Sequence, residues 1–171
     1  MKKNMILGVA FMIMSLHQLA AQHSAQVSPS VSKRFEATFE GAKNVQWEFL
    51  AKKVTQARFV YQGSVWLAYF DQDGNLLTSG RKIKSTDDLP LNVQSGLHRA
   101  KARFEKKSGA AQLGLIYEMV QNDITRYYIT MESSANRALF SVNTDGTAIM
   151  ESKSAITKEP ATPKDAIAKK N

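Results

Sequence analysis

The side chains able to do chemistry are thinly spread along these 171 residues. Of three histidines, His17 and His23 lie in the opening segment and only His98 falls in the body. A zinc site takes three or four ligands at fixed spacing, and His98 has Arg99 beside it and no carboxylate cluster. It reads as a surface helix residue. Cysteine is absent, which rules out disulfides, thiolate zinc sites and cysteine nucleophiles. Asp71-Gln72-Asp73-Gly74-Asn75 begins like a calcium loop, but Lys82 stands where the twelfth-position glutamate belongs. A hairpin turn, whose two central residues favour positive φ, explains Asp73-Gly74 better. Asn143-Thr144-Asp145-Gly146 reads the same way. Asp87-Asp88 sits where a helix start welcomes negative charge. No phosphate loop, nucleophile elbow or serine-lysine motif occurs. The residues therefore predict no enzyme, no catalytic residue, no metal and no cofactor.

Charge offers one more feature. Arg81, Lys82, Lys84, Arg99, Lys101, Arg103, Lys106 and Lys107 form a basic region, read as a solvated helix face, with lipid head groups or polysaccharide as alternative anionic partners. Net charge is +8; Lys2 and Lys3 carry two of these, and residues 151–171 a net two more, leaving +4 on the body. That excess favours acidic partners only weakly.

The first segment is an export address. Lys2 and Lys3 precede the apolar run Met5 to Leu16, and Gln18-Leu19-Ala20-Ala21 supplies small residues for cleavage after Ala21. The run is too short to span a bilayer comfortably. The expected product is periplasmic or secreted. The absence of a lipoprotein cysteine argues for a soluble product, and no membrane span is expected after cleavage. Nucleic acid is not an expected partner there.

Residues 22–27 are a leader, and 28–150 read as one α+β domain of two repeats, 28–84 and 85–150. Ser28-Pro29 opens a helix whose Val31, Phe35 and Phe39 share one stripe, and Gly41 ends it. Strands follow at Val45 to Leu50, Val54 to Tyr61, Val65 to Asp71 and Asn75 to about Ser79. Asp87-Asp88-Leu89-Pro90 opens a second helix with the stripe Val93, Leu97, Ala100 and Phe104. Its strands are Leu113 to Val120, Ile124 to Met131, Ala138 to Asn143 and Thr147 to Met150. Across the halves Trp47 matches Tyr117, Phe59 matches Ile129, Leu67-Ala68-Tyr69-Phe70 matches Arg137-Ala138-Leu139-Phe140, and Asp73-Gly74 matches Asp145-Gly146. This pattern predicts tandem αββββ units forming an antiparallel sheet with the helices on one face. Residues 151–171, rich in Lys, Ala, Ser and Thr, read as a flexible tail.

Strand alternation assigns two faces. Val45, Trp47, Phe49, Ala57, Phe59, Tyr61, Trp66, Ala68 and Phe70 should face the helices. So should Leu115, Tyr117, Met119, Tyr127, Ile129, Met131, Ala138, Phe140 and Val142. The opposite face then carries Glu48, Leu50, Gln56, Arg58, Val60, Val65, Leu67, Tyr69, Ile116, Glu118, Val120, Ile124, Arg126, Tyr128, Thr130 and Leu139. That is too apolar for a face open to water, and tyrosine and arginine among aliphatics is the composition of interface anchors. Arg58, Leu67, Tyr69, Arg126 and Tyr128 are the candidate binding residues.

Phe35-Glu36-Ala37-Thr38-Phe39, the run Gly41-Ala42-Lys43-Asn44-Val45-Gln46-Trp47 and Ala68-Tyr69-Phe70-Asp71-Gln72-Asp73-Gly74-Asn75 resemble the PepSY-like, β-lactamase-inhibitor-like domains exported by Bacteroidetes. Leu89-Pro90 followed by Val93 resembles the start of that family's second helix. The resemblance spans about Ser28 to Met150. It implies an α+β sheet with helices on one face, no enzymatic activity, and binding or inhibition of other exported proteins. It transfers no functional residue. The second half departs from the pattern at Tyr117 and at Ser134-Ala135-Asn136. The expectation is a non-catalytic module that binds an exported protein or peptide; the alternative is a small-ligand or envelope-glycan binder.

Overall fold

The computed structural model describes residues 27–50 and 53–156. The export address, most of the leader and the chain beyond 156 lie outside these described residues.

Helix α1 spans Pro29–Thr38. It starts where the sequence places it, with Pro29 in the first turn and the Ser28 hydroxyl accepting from the Val31 N–H at 3.3 Å. Its stripe of Val31, Phe35 and Phe39 is buried. Four strands follow: β1 (Lys43–Leu50), β2 (Val54–Tyr61), β3 (Ser64–Phe70) and β4 (Leu76–Ile83). A short 3-10 turn at Thr86–Asp88 precedes α2 (Leu91–Ser108), and β5 (Ala111–Gln121), β6 (Ile124–Ser133), β7 (Asn136–Asn143) and β8 (Ala148–Ala155) complete the order. Asp87 and Asp88 belong to the 3-10 turn and not to the first turn of α2, contrary to the sequence reading. Pro90 holds Leu89 extended, at φ −84° and ψ 150°, and so separates the two helical pieces.

The eight described strands form one antiparallel sheet in sequence order, so β1 and β8 are its edges among the described residues. Both helices pack on the same face. Val31, Phe35 and Phe39 of α1 meet Ala57, Phe59, Ala68 and Phe70, and Phe35 lies edge-on to Phe59 with ring centres 4.8 Å apart. Val93, Leu97, Ala100 and Phe104 of α2 meet Ile129, Met131, Ala138, Phe140 and Val142. The chain is thus an α+β fold with the predicted one-sided helix layer.

β4 and β8 run further than their sequence patterns suggest, β4 to Ile83 and β8 past Met150 to Ala155. The extra length of β4 makes the seam between the halves, pairing Lys82 with Tyr117 and Ile83 with Ile116. β8 is an edge whose end is Ser- and Lys-rich, and such residues suit a strand wetted on one side while hiding its apolar period.

The turns also differ in type. At Asp73-Gly74 only the glycine has positive φ, +87°, and the Gly74 N–H reaches the Asp71 carbonyl at 3.2 Å. Gly146 repeats this, at φ +84° with 2.9 Å to the Asn143 carbonyl. Each glycine is pressed against the first turn of a helix, where a Cβ would come within 2.7 Å of the Ser30 carbonyl oxygen or 2.4 Å of the Asn92 carbonyl oxygen. The turns with two positive φ values are instead Gln62-Gly63 and Asn122-Asp123, which link β2 to β3 and β5 to β6.

Candidate binding face

The face opposite the helices is shaped by a bulge in β5. Leu113 pairs with Met131 and Ile116 with Ile129, so the register slips between them. The Leu115 N–H bonds the Thr130 hydroxyl at 2.8 Å, and a Cβ on Gly114 would sit 2.4 Å from that same oxygen. One extra residue reverses the parity of everything after it. Leu115, Tyr117 and Met119, expected to face the helices, therefore point to the opposite face; Ile116 and Glu118 point to the helix side. Glu118 there accepts from Tyr127 Oη at 2.9 Å and pairs with Arg81 Nε at 2.6 Å. The match of Trp47 with Tyr117 fails for the same reason, whereas Phe59 and Ile129 keep equivalent buried places under the helices.

What collects on this face is a cluster of Leu67 and Tyr69 from β3, Tyr117 and Met119 from β5, Tyr128 from β6 and Leu139 from β7. Tyr117 and Tyr128 stand directly across from each other. Gly80 in β4 lies between Leu67 and Met119; a Cβ there would meet Met119 Sδ at 2.5 Å and the Glu118 carbonyl oxygen at 2.0 Å. The seam therefore closes only around a glycine.

The predicted residues fare differently. Leu67 is 0% exposed, Tyr69 1% and Tyr128 4%, so none offers much area to a partner. Arg58 is exposed and Arg126 half-buried. Leu67 and Tyr69 share β3, Arg58 pairs with Leu67, and Tyr128 and Arg126 follow one another on the same face of β6. The sequence reading placed Gln56 on this face but not among the binding residues; it is buried beside Tyr69 and donates to Glu48 at 3.3 Å. The sequence reading missed Glu151, which lies past its last strand and accepts from the Ser141 hydroxyl at 2.6 Å.

Electrostatics are set by the lack of water. Burial, then the neighbouring Tyr117, Glu48 and Tyr128, push the Tyr69 phenol far above its ordinary range. Burial also raises Tyr117 and Tyr128; Arg58 opposes the rise at Tyr117 and Arg126 opposes it at Tyr128. Among the described residues, three buried polar atoms on this face have no hydrogen-bond partner: Tyr69 Oη, Arg126 Nε and Ser152 Oγ. Each can donate, and such orphans are rare in folded proteins.

Elsewhere, His98 is exposed on α2. Among the described residues no group of three or more metal-ligating side chains occurs. The Asp71 carboxylate is committed to its own turn, accepting from the backbone N–H of Asp73 and Asn75 and from Asn75 Nδ2. Slight burial opposes its ionisation, but the Asn75 side-chain donor and the backbone donors of Asn75, Asp73 and Gly74 hold its carboxyl below the usual range. The basic region does not form one surface. Arg81 is tied to Glu118 on the helix side, Lys82 lies across from Tyr117 on the other face, Lys101 pairs with Glu105 at 2.5 Å, and Arg99 donates to the Gly146 carbonyl.

No protein-family model and no curated protein matches the chain. Solved structures do. A BLIP-like protein from Bacteroides fragilis superposes with a TM-score of 0.57 at 16% identity, covering 80% of this chain and 92% of that one. A Bacteroides eggerthii protein described as periplasmic gives 0.62 at 14% identity, over 77% and 91%. A DUF2874 family protein from Bacteroides ovatus gives 0.59 at 13% identity, over 76% and 88%. None of these descriptions carries the PepSY name. No described helix is long and apolar enough to cross a membrane. In fold, this chain is similar to the BLIP-like and DUF2874 proteins of Bacteroides.

Proposed function

We propose that the chain is an exported, non-catalytic module, cleaved after Ala21, that binds a protein or peptide of the envelope through the sheet face opposite its helices. The observation that carries this reading is a sheet face on which no described helix packs, with the exposed Arg58 and the half-buried Arg126 standing beside an apolar floor that holds Leu67, Tyr69 and Tyr128. Arg58 and Arg126 guide the approach, while Leu67, Tyr69 and Tyr128 act as the firm floor beneath it. The fold similarity to a BLIP-like protein and to a protein described as periplasmic supports the same reading. So does the opening resemblance, which brings the PepSY-like class with it.

The fold is also read as a tandem duplication. Support comes from the two pressed Asp-Gly turns and from register shifts at Tyr69/Phe70 in β3 and Leu139/Phe140 in β7. Glycan binding through the aromatics and the basic strip is disfavoured because that strip is divided between two faces.

The test places a photo-crosslinking residue at Arg58, and separately at Lys33 on the exposed side of α1, in the full chain expressed in its own cell envelope. The reading expects a discrete, stoichiometric protein adduct from position 58 that is absent from position 33. Identical adduct patterns from both positions overturn it.

A further inference from the structure

A second site lies on the other side of the sheet and is independent of the face just described. Between α1 and the edge strand β1 runs a groove of about 380 Å³ lined by both elements. Its floor is aromatic and apolar, with Phe35, Phe39, Val45 and Trp47; Trp47 meets Phe35 edge-on at 5.1 Å between ring centres. Its rim carries two exposed carboxylates, Glu36 and Glu40. Neither has an ion-pair partner among the described residues.

Among the described residues β1 pairs only with β2, and one row of its backbone N–H and C=O groups has no described strand beside it. From Gln46 to Leu50 its pairing with β2 is unbroken, and that stretch contains neither Pro nor Lys to blunt the edge. A ninth strand would lie about 4.8 Å beyond β1. The groove lies on the helix side of this edge, since its β1 lining, Val45 and Trp47, packs toward α1. Every second side chain of the added strand then points into the groove. We propose that this edge takes an extended peptide segment of another protein as a ninth strand, with a lysine or arginine of that segment seated in the groove. The aliphatic stem lies against Phe35, Phe39 and Trp47, and the cationic head meets the ring faces and the two carboxylates. Charge complementarity selects this occupant: the chain has a net charge of +8, yet the rim of this groove is acidic.

The probe is a capped ten-residue peptide of alternating threonine and valine with one central lysine, titrated into isotope-labelled full-length protein and followed by amide NMR. The expected result is shift changes confined to β1 and α1. Replacing the lysine by norleucine, or making Glu36→Gln with Glu40→Gln, weakens binding roughly threefold to tenfold and removes most of its salt dependence. Both glutamates are exposed, so the double variant folds. N-methylating alternate peptide residues abolishes binding in one register and spares it in the other. No shift in β1, binding indifferent to lysine and to both glutamates, or self-association of the protein through β1 each overturns the proposal. The open-face reading is untouched by any of these results.

Discussion

Removing one oxygen from Tyr69 should make the protein more stable. Tyr69 is 1% exposed and its hydroxyl has no partner among the described residues. In an ordinary site Tyr→Phe forfeits a hydrogen bond worth about 1 kcal/mol. Here there is none to forfeit, and the substitution relieves a desolvation cost of about 1–3 kcal/mol. The void left behind, roughly 10–15 Å³, costs at most about 0.4 kcal/mol at about 24 cal/mol/Å³. Tyr69→Phe is therefore expected to gain about 1–2 kcal/mol. In urea, the midpoint rises by roughly half to one molar at unchanged slope. The pH dependence has a definite sign. The folded-state phenol is raised above its unfolded value, so its contribution is complete below about pH 10 and declines as pH rises, because only the unfolded chain ionises readily. Phenylalanine has no such decline, so the variant's advantage grows above pH 10. A loss of stability of 1 kcal/mol or more in Tyr69→Phe would refute the reasoning, since it would mean the hydroxyl already had a partner.

Other expectations follow from the same contacts. Gly96→Ala, which in an open helix gains about 1 kcal/mol, should instead destabilise by about 1–3 kcal/mol by urea unfolding, because its Cβ would come within 2.2 Å of the Gly146 carbonyl oxygen. Exposed Ser95→Ala on the same helix serves as the neutral comparison. Ultraviolet titration should show Tyr127 ionising at about 12, held up by burial and by Glu118; in Glu118→Gln it ionises earlier, and Arg81 loses its partner. Asp71→Asn should loosen the β3–β4 turn at neutral pH. Because the folded carboxyl is lowered, the gap to the parent protein narrows as pH falls through the carboxylate range.

The sequence by itself determined the elements and one side of the sheet. Ser28-Pro29 and the Val31, Phe35, Phe39 stripe are local facts, and α1 follows them. Alternation in β2 and β3 placed Phe59, Ala68 and Phe70 under the helix without help from anything distant. The rest was decided in three dimensions. Alternation is a parity, and one inserted residue reverses it; where β5 inserts that residue depends on Gly114 and Leu115 meeting the Thr130 hydroxyl of the neighbouring strand. The burial of Leu67, Tyr69 and Tyr128, which turns supposed anchors into a floor, depends on strands from both halves joining across Gly80. The groove beside β1 exists because a helix and an edge strand happen to be its two walls, and no local pattern records which strand ends at an edge.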